Sequence, residues 1–318
     1  MGKIIGIDLG TTTSEIAFME NDQPKIITDC FGNRIVPSVV GKKEDGTVVV
    51  GQVAYNQLIS SPDRTMAEVK RLMGSDTMIS LDDEKYLPHE LSSLILKELK
   101  KYAEDYLGEE VVEAVITVPA NFNNSQRKVT KMAGEMAGLK VERIINEPTA
   151  AAMAYGLNNY DKEEKILVYD LGGGTFDVSI LEMFEGILDV KSSRGNDRLG
   201  GKDFDSRIEK YIEKEFEKTY NQNLYKGLDV KNKLSIKLRV KEAAINAKKE
   251  LSTQLSTTIN IPFITIIDNK PVSIGMELTR DKFNQLTKDL VISTTEKIDE
   301  ALKAAKLKEK DIDRVLLI

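Results

Sequence analysis

Ile166-Leu-Val-Tyr-Asp-Leu-Gly-Gly-Gly-Thr-Phe-Asp-Val-Ser-Ile-Leu181 is the stretch from which the fold can be predicted. Its apolar, β-branched beginning predicts a buried strand, which stops at an acid followed by three glycines. Alternation then resumes, with Val178 and Ile180 on one face, so the stretch predicts a β-hairpin. Three glycines allow a tight turn whose bare N–H groups form a nest for phosphate oxygens. Because the flanking Asp170 and Asp177 repel phosphate, they predict a cation beside the ligand, most economically Mg²⁺.

A second copy of this pattern lies near the amino terminus, in Ile4-Ile-Gly-Ile-Asp-Leu-Gly-Thr-Thr-Thr-Ser-Glu-Ile-Ala-Phe18. A shift of 162 positions (170 − 8) places Asp8 on Asp170, Gly10 on Gly172, Thr13 on Thr175 and Glu15 on Asp177. Two strand–turn–strand units with matching acid, glycine and hydroxyl residues predict a duplicated domain, in which each half offers one hairpin to a nucleotide polyphosphate. The alternative interpretation is two unrelated tight turns.

The composition is that of an ordinary globular protein. The 318 residues exceed the usual length of one domain, and 41% hydrophobic and 30% charged residues provide for a core. A formal net charge of −6 argues against a nucleic-acid or anionic-membrane binder, because either needs a basic surface. No apolar run reaches membrane-spanning length, and the chain enters a strand without a signal peptide, so a cytoplasmic location is expected.

Cysteine and histidine chemistry is excluded by count. Cys30 is the single cysteine and His89 the single histidine, so a disulfide framework, a Cys- or His-based metal site and a Ser-His-Asp triad are all excluded. Catalysis must therefore rest on carboxylates, lysine, threonine and a metal ion.

The first half contains well-marked helices. Pro88 to Leu107 predicts an amphipathic helix, with proline near its start and Gly108 just beyond its end. Ser125 is the expected N-cap of the next helix, in which Met136 faces inward. A short helix is expected from Ala67 to Gly74.

Lys70 and Glu147 stand out in this half. Glu147 precedes Pro148 and is expected at a strand-to-helix junction, where a functional side chain is often found. The alternative is a carboxylate that favours the dipole of a helix from Thr149 to Leu157. Lys70 has the alternative of an ordinary solvated helix lysine. The pattern alone leaves both alternatives open.

The second half begins after a polar segment, Asn158 to Glu164, which is the best candidate for a hinge. Asp197 to Asp205 contains a Gly-Gly turn before a helix, a place that favours phosphate, although Gly-Gly alone is a weak signal. Leu238 to Leu251 predicts a lysine-rich helix, and Thr279 is expected to cap a long helix. Val315 to Ile318 predicts a buried strand whose abrupt end indicates a longer protein.

Six motifs together are family-specific: Ile7-Asp-Leu-Gly-Thr-Thr12, Val69-Lys-Arg-Leu-Met-Gly74, Val115-Ile-Thr-Val-Pro-Ala120, Arg143-Ile-Ile-Asn-Glu-Pro-Thr-Ala-Ala-Ala152, Asp170-Leu-Gly-Gly-Gly-Thr-Phe-Asp177 and Leu199-Gly-Gly-Lys-Asp-Phe-Asp205. In this order they resemble the nucleotide-binding domain of DnaK-type chaperones, the seventy-kilodalton heat-shock family. The resemblance implies an α/β, actin-like two-lobed ATPase fold with duplicated ribonuclease-H-like cores and a central nucleotide cleft. Lobe I is expected over residues 1–160, with a small subdomain at about 39–107, and lobe II over 161–318, with one at about 202–282.

The resemblance also implies roles for individual residues. Phosphate contacts are expected from Gly10, Thr11, Thr12, Gly172, Gly173, Gly174, Thr175, Gly200 and Gly201. Adenosine contacts are expected from Lys248, Lys249 and Ser252. Hydrated Mg²⁺ is expected at Asp8 and Asp170, with Asp177 helping to place K⁺. The implied catalytic set is Lys70, Glu147, Thr175, Asp8 and Asp170, in which Lys70 orients the attacking water. Pro119, Arg127, Arg143 and Glu147 match the relay that reports the nucleotide state to a peptide-binding domain.

The implied function is slow hydrolysis of ATP to ADP and phosphate, which acts as a timer in a protein-folding and stress-response chaperone. The implied partners are a peptide-binding domain of the same protein, unfolded polypeptide clients, a J-domain co-chaperone and a nucleotide-exchange factor. Neither a nucleic-acid nor a membrane partner is expected.

The chain departs from the family pattern in three places. Ile245 stands where the family usually offers Glu to the ribose. Two asparagines replace the usual Tyr and Asp, and three bases occupy a commonly acidic segment: Asn121, Asn124, Lys191, Arg194 and Arg198. Because J-domains dock with a basic helix, weakened or altered co-chaperone use is expected. The family's Gly-Gly-Ser-Thr-Arg segment, which closes the adenine pocket, is expected directly after Ile318, so weak ATP binding and impaired hydrolysis are expected of this chain alone.

Three other functions share this architecture. A sugar or acetate kinase needs a base beside an acceptor pocket, and Lys70 with Asn146-Glu147-Pro148 fits the chaperone pattern better. An actin-like filament protein hydrolyses ATP on assembly, which light scattering detects. A nucleotide-sensing fragment without productive hydrolysis is the third.

Overall fold

The computed structural model describes residues 3–156, 159 and 162–318. The expected hinge from Asn158 to Glu164 and the expected lobe boundary at 160/161 therefore lie partly outside the described residues. The strands are β1 Ile4–Leu9, β2 Thr13–Glu20, β3 Gln23–Ile27, β4 Val36–Pro37, β5 Val39–Lys42, β6 Val48–Val50, β7 Thr65–Ala67, β8 Ile79–Leu81, β9 Glu84–Tyr86, β10 Glu113–Val118, β11 Lys140–Asn146, β12 Glu164–Leu171, β13 Phe176–Phe184, β14 Ile187–Asn196, β15 Ser256–Ile267, β16 Lys270–Thr279 and β17 Arg314–Leu317. The α-helices are α1 Gln52–Asn56, α2 Pro88–Leu107, α3 Asn124–Met136, α4 Glu147–Gly156, α5 Gly201–Tyr220, α6 Val230–Glu250 and α7 Arg280–Ala305. Short 3₁₀ helices cover Pro62–Arg64, Val69–Leu72 and Glu309–Asp311.

The chain packs into two compact units. Unit 1 comprises Met1–Gln57, Asp63–Gly200 and Thr295–Ile318, and unit 2 comprises Leu58–Pro62 and Gly201–Thr294. Both predicted hairpins lie in unit 1. The two expected lobes and their subdomains stay predictions.

The first sheet of unit 1 contains the amino-terminal hairpin. Its strand order is β11-β10-β1-β2-β3, with β4 paired to β2. β10 runs parallel to β1, and β2 runs antiparallel to it, so Asp8 lies opposite Glu15. The apolar face of this sheet packs with α2, which starts at Pro88 and ends at Gly108 in the left-handed conformation (φ 67°), as the sequence predicts.

The second sheet of unit 1 repeats this arrangement. Its order is β14-β13-β12-β17, in which β12, β13 and β14 form an antiparallel meander and β17 runs parallel to β12. Asp170 lies opposite Asp177, which is the pairing of Asp8 with Glu15 in the first sheet. The shared topology and register confirm the duplication that the repeat of 162 positions (170 − 8) predicts.

Unit 2 has a core of its own. Its helices α5 and α6 and the hairpin β15-β16 bury a cluster that includes Ile208, Val240 and Leu278. α6 begins at Val230, eight residues (238 − 230) before the predicted start, because Asp229 accepts a hydrogen bond from the Asn232 N–H and caps it. Thr279 caps α7, as predicted: its Oγ1 accepts from the Lys282 N–H at 3.1 Å.

Three predictions about helices were wrong. The N-cap of α3 is Asn123, whose side chain accepts from the Gln126 N–H at 3.0 Å, and not Ser125. Met136, in the last turn of α3, is 50% exposed rather than inward-facing. The segment from Ala67 to Gly74 is not one helix, because Glu68 adopts φ 62° and separates β7 from a 3₁₀ turn that carries Lys70.

The final strand forms as predicted but is not buried. β17 is the edge strand of its sheet, and Val315 and Leu317 are 54% and 76% exposed, because only β12 pairs with it among the described residues. No helix in the described part of the chain is long and apolar enough to cross a membrane.

Candidate functional site

The first glycine turn is anchored by a pair of serines. The Ser14 and Ser38 hydroxyls lie 2.9 Å apart, and the Ser38 Oγ donates to the Gly10 carbonyl at 2.8 Å. The Ser38 N–H donates to the Thr12 carbonyl, also at 2.8 Å. A Cβ on Gly10 would lie 2.0 Å from the Thr13 carbonyl oxygen, so this tight turn requires glycine. The turn is thus held in one conformation, with Thr11 buried beneath it.

The second glycine turn lies directly against the first. A Cβ on Gly173 would lie 2.0 Å from the Thr12 Oγ1, and one on Gly174 would lie 2.7 Å from the Thr11 Cγ2. On the other side, a Cβ on Gly200 would lie 2.4 Å from the Gly174 N. The structure therefore brings together the predicted phosphate-binding residues of both hairpins and Gly200, and Gly173, Gly174 and Gly200 stand at points too close for a Cβ.

A buried ion pair lies beside these turns. Lys70 is 8% exposed, and its Nζ donates to the Glu147 Oε1 at 2.8 Å. Glu147 is the first residue of α4, directly after β11, so it lies at the predicted strand-to-helix junction and at a helix amino terminus. Lys70 is not the solvated helix lysine of the alternative interpretation. Its ammonium group also lies 6.0 Å from the centroid of the Phe122 ring.

Burial and neighbouring negative charge raise the pKa values of Asp170 and Glu147. Burial, with the charges of Glu147 and Asp8, raises the pKa of Asp170 to about 7 despite the opposing effect of Lys70. Burial also raises the pKa of Glu147. The Lys70 ammonium is disfavoured by burial, but the three neighbouring carboxylates outweigh this effect and raise its pKa. Lys70 thus lies among three carboxylates, those of Glu147, Asp8 and Asp170.

Asp177 is the most isolated of these acids. It is 1% exposed, and neither carboxylate oxygen has a hydrogen-bond partner among the described residues. Burial, followed by repulsion from Asp170, raises its pKa to about 7. The Asn146 Oδ1 is likewise buried without a partner. Unsatisfied oxygen atoms of this kind fit a hard cation such as Mg²⁺ or K⁺.

In the described part of the chain, the carboxylates of the site are separate and do not form a preformed metal-binding cluster. Among the described residues, no group of three or more His, Cys, Asp or Glu side chains is close enough to hold a metal ion. The donor set of separate carboxylates is instead suited to an ion that keeps part of its water shell, as Mg²⁺ commonly does.

The expected relay residues occupy different surroundings. Pro119 is buried, and Arg127 donates to the carbonyls of Phe122 at 2.9 Å and Ala120 at 3.2 Å. Arg127 thereby holds the loop whose Phe122 ring lies near Lys70. Arg143 lies on β11 and is exposed. The structure therefore links Pro119 and Arg127 to the site and does not bring Arg143 to the same loop contacts.

The expected adenosine residues lie in unit 2. Lys248 pairs with the buried Asp205 at 2.7 Å and donates to the Gly201 carbonyl at 3.0 Å, so its ammonium group already stabilises the start of α5. Lys249 and Ser252 are exposed, and Ile245 is half-buried on α6. Their nucleotide contacts stay predictions.

Two contacts in unit 1 were missed by sequence reasoning. The Arg71 Nη2 donates to the Gly174 carbonyl, and the Thr117 Oγ1 donates to the Asp8 Oδ1 at 2.8 Å. Arg71 adjoins Lys70 in sequence, which is a signal that could have drawn attention to it. Thr117 offered none, because a threonine within a strand is ordinary.

Two duplicated strand–turn–strand cores, whose acid-flanked glycine turns meet beside a buried lysine–carboxylate pair, define an actin-like ATPase domain. Comparison with protein families agrees: the family described as Hsp70 protein matches residues 4–80 and 75–318. The chain belongs to the Hsp70 family. It is accordingly a chaperone ATPase domain with the actin-like fold, of a family that binds and hydrolyses ATP.

Proposed function

We propose that this chain hydrolyses ATP slowly at the two glycine turns, using the residues described above in distinct roles. The observation that carries the proposal is the buried Lys70–Glu147 pair, which lies beside Asp8 and Asp170 at the ends of the two duplicated hairpins. A lysine so placed can stabilise negative charge that develops on a transferring phosphoryl group.

The two glycine turns would bind the phosphates of the nucleotide. The Gly172 N–H donates to the Thr175 carbonyl at 3.1 Å and closes the second turn, so Gly172 would approach phosphate without donating to it. The N–H groups of Gly173 and Gly174 would donate to phosphate from this hairpin, and the hydroxyl groups of Thr11 and Thr12 from the other. Thr175 adds a hydroxyl at the end of the second turn, and Gly10 and Gly200 leave room for close approach of backbone. Gly201, Lys248, Lys249 and Ser252 are proposed to serve the remainder of the nucleotide.

The carboxylates fit cations. Asp8 and Asp170 would hold hydrated Mg²⁺, and the unpartnered Asp177 would help to place K⁺. When bound, Mg²⁺ neutralises charge on the phosphates and so eases attack on them. Cation binding also relieves the repulsion among Asp170, Asp177 and Glu147, which burial otherwise leaves uncompensated.

Lys70 would position the attacking water and the γ-phosphate. One of its three N–H donors is used by Glu147, which leaves donors for the attacking water and the γ-phosphate. Glu147 holds the ammonium group in place and keeps it charged. Hydrolysis then depends on orientation and electrostatic stabilisation rather than on a strong base.

The partners follow from the family. Hsp70 proteins generally work with J-domain proteins, nucleotide-exchange factors and unfolded clients. We propose that hydrolysis here gates a peptide-binding domain through the loop held by Arg127, with weakened or altered use of a J-domain co-chaperone. Peptide affinity with ATP and with ADP, in a protein that joins this chain to such a domain, measures the gating. The cytoplasmic location stays a prediction.

The test of the ATPase proposal is Lys70→Ala. We expect ATP turnover to fall by about 10²- to 10³-fold, the usual cost of removing a group that stabilises the transition state, while ADP still binds. The matched control is Lys42→Ala. Lys42 is 7% exposed and pairs with Glu84 at 2.7 Å, so it is an equally buried, ion-paired lysine of unit 1 outside the site. Turnover in this control should stay near that of the unaltered chain.

Loss of Lys70 leaves Glu147 buried without its cation, which costs about 3–5 kcal/mol in folded proteins. The double variant Lys70→Met with Glu147→Gln avoids the uncompensated charge and should be folded yet inactive. Normal turnover in that folded double variant, or an equal loss in the Lys42 control, would contradict the proposed role.

A further inference from the structure

The two duplicated hairpins differ at one neighbouring position. In the first sheet, Asp8 of β1 lies beside Thr117 of the parallel strand β10. In the second sheet, the parallel pairing of β12 with β17 continues to Ile318, which accepts from the Leu171 N–H and donates to the Tyr169 carbonyl. Ile318 therefore stands beside Asp170 where Thr117 stands beside Asp8. An aliphatic side chain has no donor, so the duplication is broken at the residue next to each acid.

Thr117 faces the site rather than the core. Its neighbours Ile116 and Val118 are completely buried, as are Ile7 and Leu9 on either side of Asp8. Because side chains alternate along strands, Thr117 and Asp8 share the opposite, accessible face. The Thr117 Oγ1 donates to the Asp8 Oδ1 at 2.8 Å, across 109 positions of sequence.

This hydrogen bond fixes the orientation of one carboxylate. The hydroxyl engages the Oδ1 of Asp8, and among the described residues no other side chain bonds the carboxylate, so its Oδ2 is left to face a ligand. Ile318, at the equivalent position beside Asp170, has an aliphatic side chain and so offers it no donor. We propose that Thr117 is a positioning residue that orients Asp8 for the cation and thereby sets the Mg²⁺ concentration that nucleotide binding requires. This inference rests on the proposed function.

The experiment compares Thr117→Val, which keeps the shape and removes the donor, with Thr117→Ser, which keeps the donor. ADP affinity of the full chain is measured by calorimetry in EDTA and over a series of free Mg²⁺ concentrations. We expect Thr117→Val to raise the half-effective Mg²⁺ concentration by about 10-fold, at the low end of the effect of removing a residue that supports a metal ligand. Thr117→Ser should restore the requirement of the unaltered chain. ADP affinity in EDTA should be the same in all three.

The matched control is Thr130→Val. Thr130 is 2% exposed and its hydroxyl donates to the Gln126 carbonyl at 2.8 Å, so this change removes a bonded threonine hydroxyl of unit 1 outside the site. Its Mg²⁺ requirement should not change. Should Thr117→Val fail to fold, Thr117→Ala removes the same donor with less bulk.

The outcomes separate the two proposals. An unchanged Mg²⁺ requirement in both hydroxyl-free variants overturns the role of Thr117, as does a serine variant that behaves like valine. If a variant loses ADP affinity in EDTA but keeps the same Mg²⁺ requirement, Thr117 has only a structural role. That outcome also overturns the proposal. If the unaltered chain shows no Mg²⁺-dependent ADP binding, the proposed function itself fails.

Discussion

Asp177 is a buried carboxylate that the folded chain accommodates without a hydrogen bond from any described residue. Ionising a buried carboxyl group costs free energy, and this cost raises the pKa of Asp177 in the folded state to about 7. A buried carboxylate whose two oxygens have no hydrogen-bond partner among the described residues fits a cation ligand.

The pKa of Asp177 yields a prediction for Asp177→Asn in EDTA. In the unfolded chain the pKa of this carboxyl group is about 3.9. Between about pH 4 and pH 7 the folded state therefore keeps a proton on Asp177 that the unfolded state has lost. The destabilising effect of the carboxylate is thus absent below about pH 4, grows with rising pH and is complete above about pH 7. Asp177→Asn should therefore raise the free energy of unfolding by on the order of 2 kcal/mol at pH 8 and by much less at pH 5. The value at pH 8 is below what the whole pKa shift implies, because the repulsion is shared between Asp177 and Asp170.

Urea unfolding at both pH values measures this difference. Asp189→Asn is the control, because Asp189 is 63% exposed and should show little effect at either pH. A stabilisation by Asp177→Asn that is equal at pH 5 and pH 8 would show that the carboxylate does not titrate in this range.

Among the elements, α3 shows how a cap decides a helix. Asn123-Asn-Ser125 offers three consecutive residues that can cap, and all three are common at this position. Asn123 takes the role because its side chain accepts from the Gln126 N–H while the Gln126 side chain accepts from the Asn123 N–H at 2.9 Å. This reciprocal pair satisfies two backbone N–H groups at once and fixes the residue at which the helix begins.

Asn123→Ala should lower the free energy of unfolding by about 1 kcal/mol, the typical cost of losing an N-cap. Ser125→Ala is the matched control, since Ser125 is exposed and has no capping bond, and it should change stability by less than about 0.5 kcal/mol. Urea denaturation of both variants decides the point. An equal loss in both would mean that the cap is shared.

For the whole molecule, the distribution of charge matters more than the net charge of −6. The segment that is commonly acidic in the family carries Lys191, Arg194 and Arg198. Lys191 is neutralised in part by Glu182 at 2.6 Å and Asp189 at 2.9 Å, whereas Arg194 and Arg198 are exposed. Asn121 donates to Asp197 at 3.4 Å, which engages one nearby acid. We therefore expect a basic J-domain helix to be attracted less strongly to this surface.

Charge reversal tests this proposal. Arg194→Glu combined with Arg198→Glu should increase stimulation of ATP turnover by a J-domain by roughly tenfold at low salt, the lower end of electrostatic steering. The gain should shrink as ionic strength rises. Lys101→Glu is the control, because Lys101 is 62% exposed on α2 and lies outside this surface. Strong stimulation of the unaltered chain, with no gain on reversal, would contradict weakened co-chaperone use.

The sequence by itself determined the two hairpins and the helix α2. These features depend on residues close in the chain: strand alternation, a glycine turn, and a proline and a glycine at the two ends of a helix. The spacing between the copies also determined that Asp8 and Asp170 occupy equivalent places.

Only the tertiary structure decided which distant groups meet. Lys70 and Glu147 are 77 positions apart, Arg71 and Gly174 are 103, and Thr117 and Asp8 are 109. Strand order and packing bring such groups together, and neither leaves a periodic trace in the chain. The exposure of a residue also depends on tertiary structure. The apolar run from Val315 predicts a buried strand, yet β17 is an exposed edge strand. Burial depends on which elements pack against a strand and not on its composition.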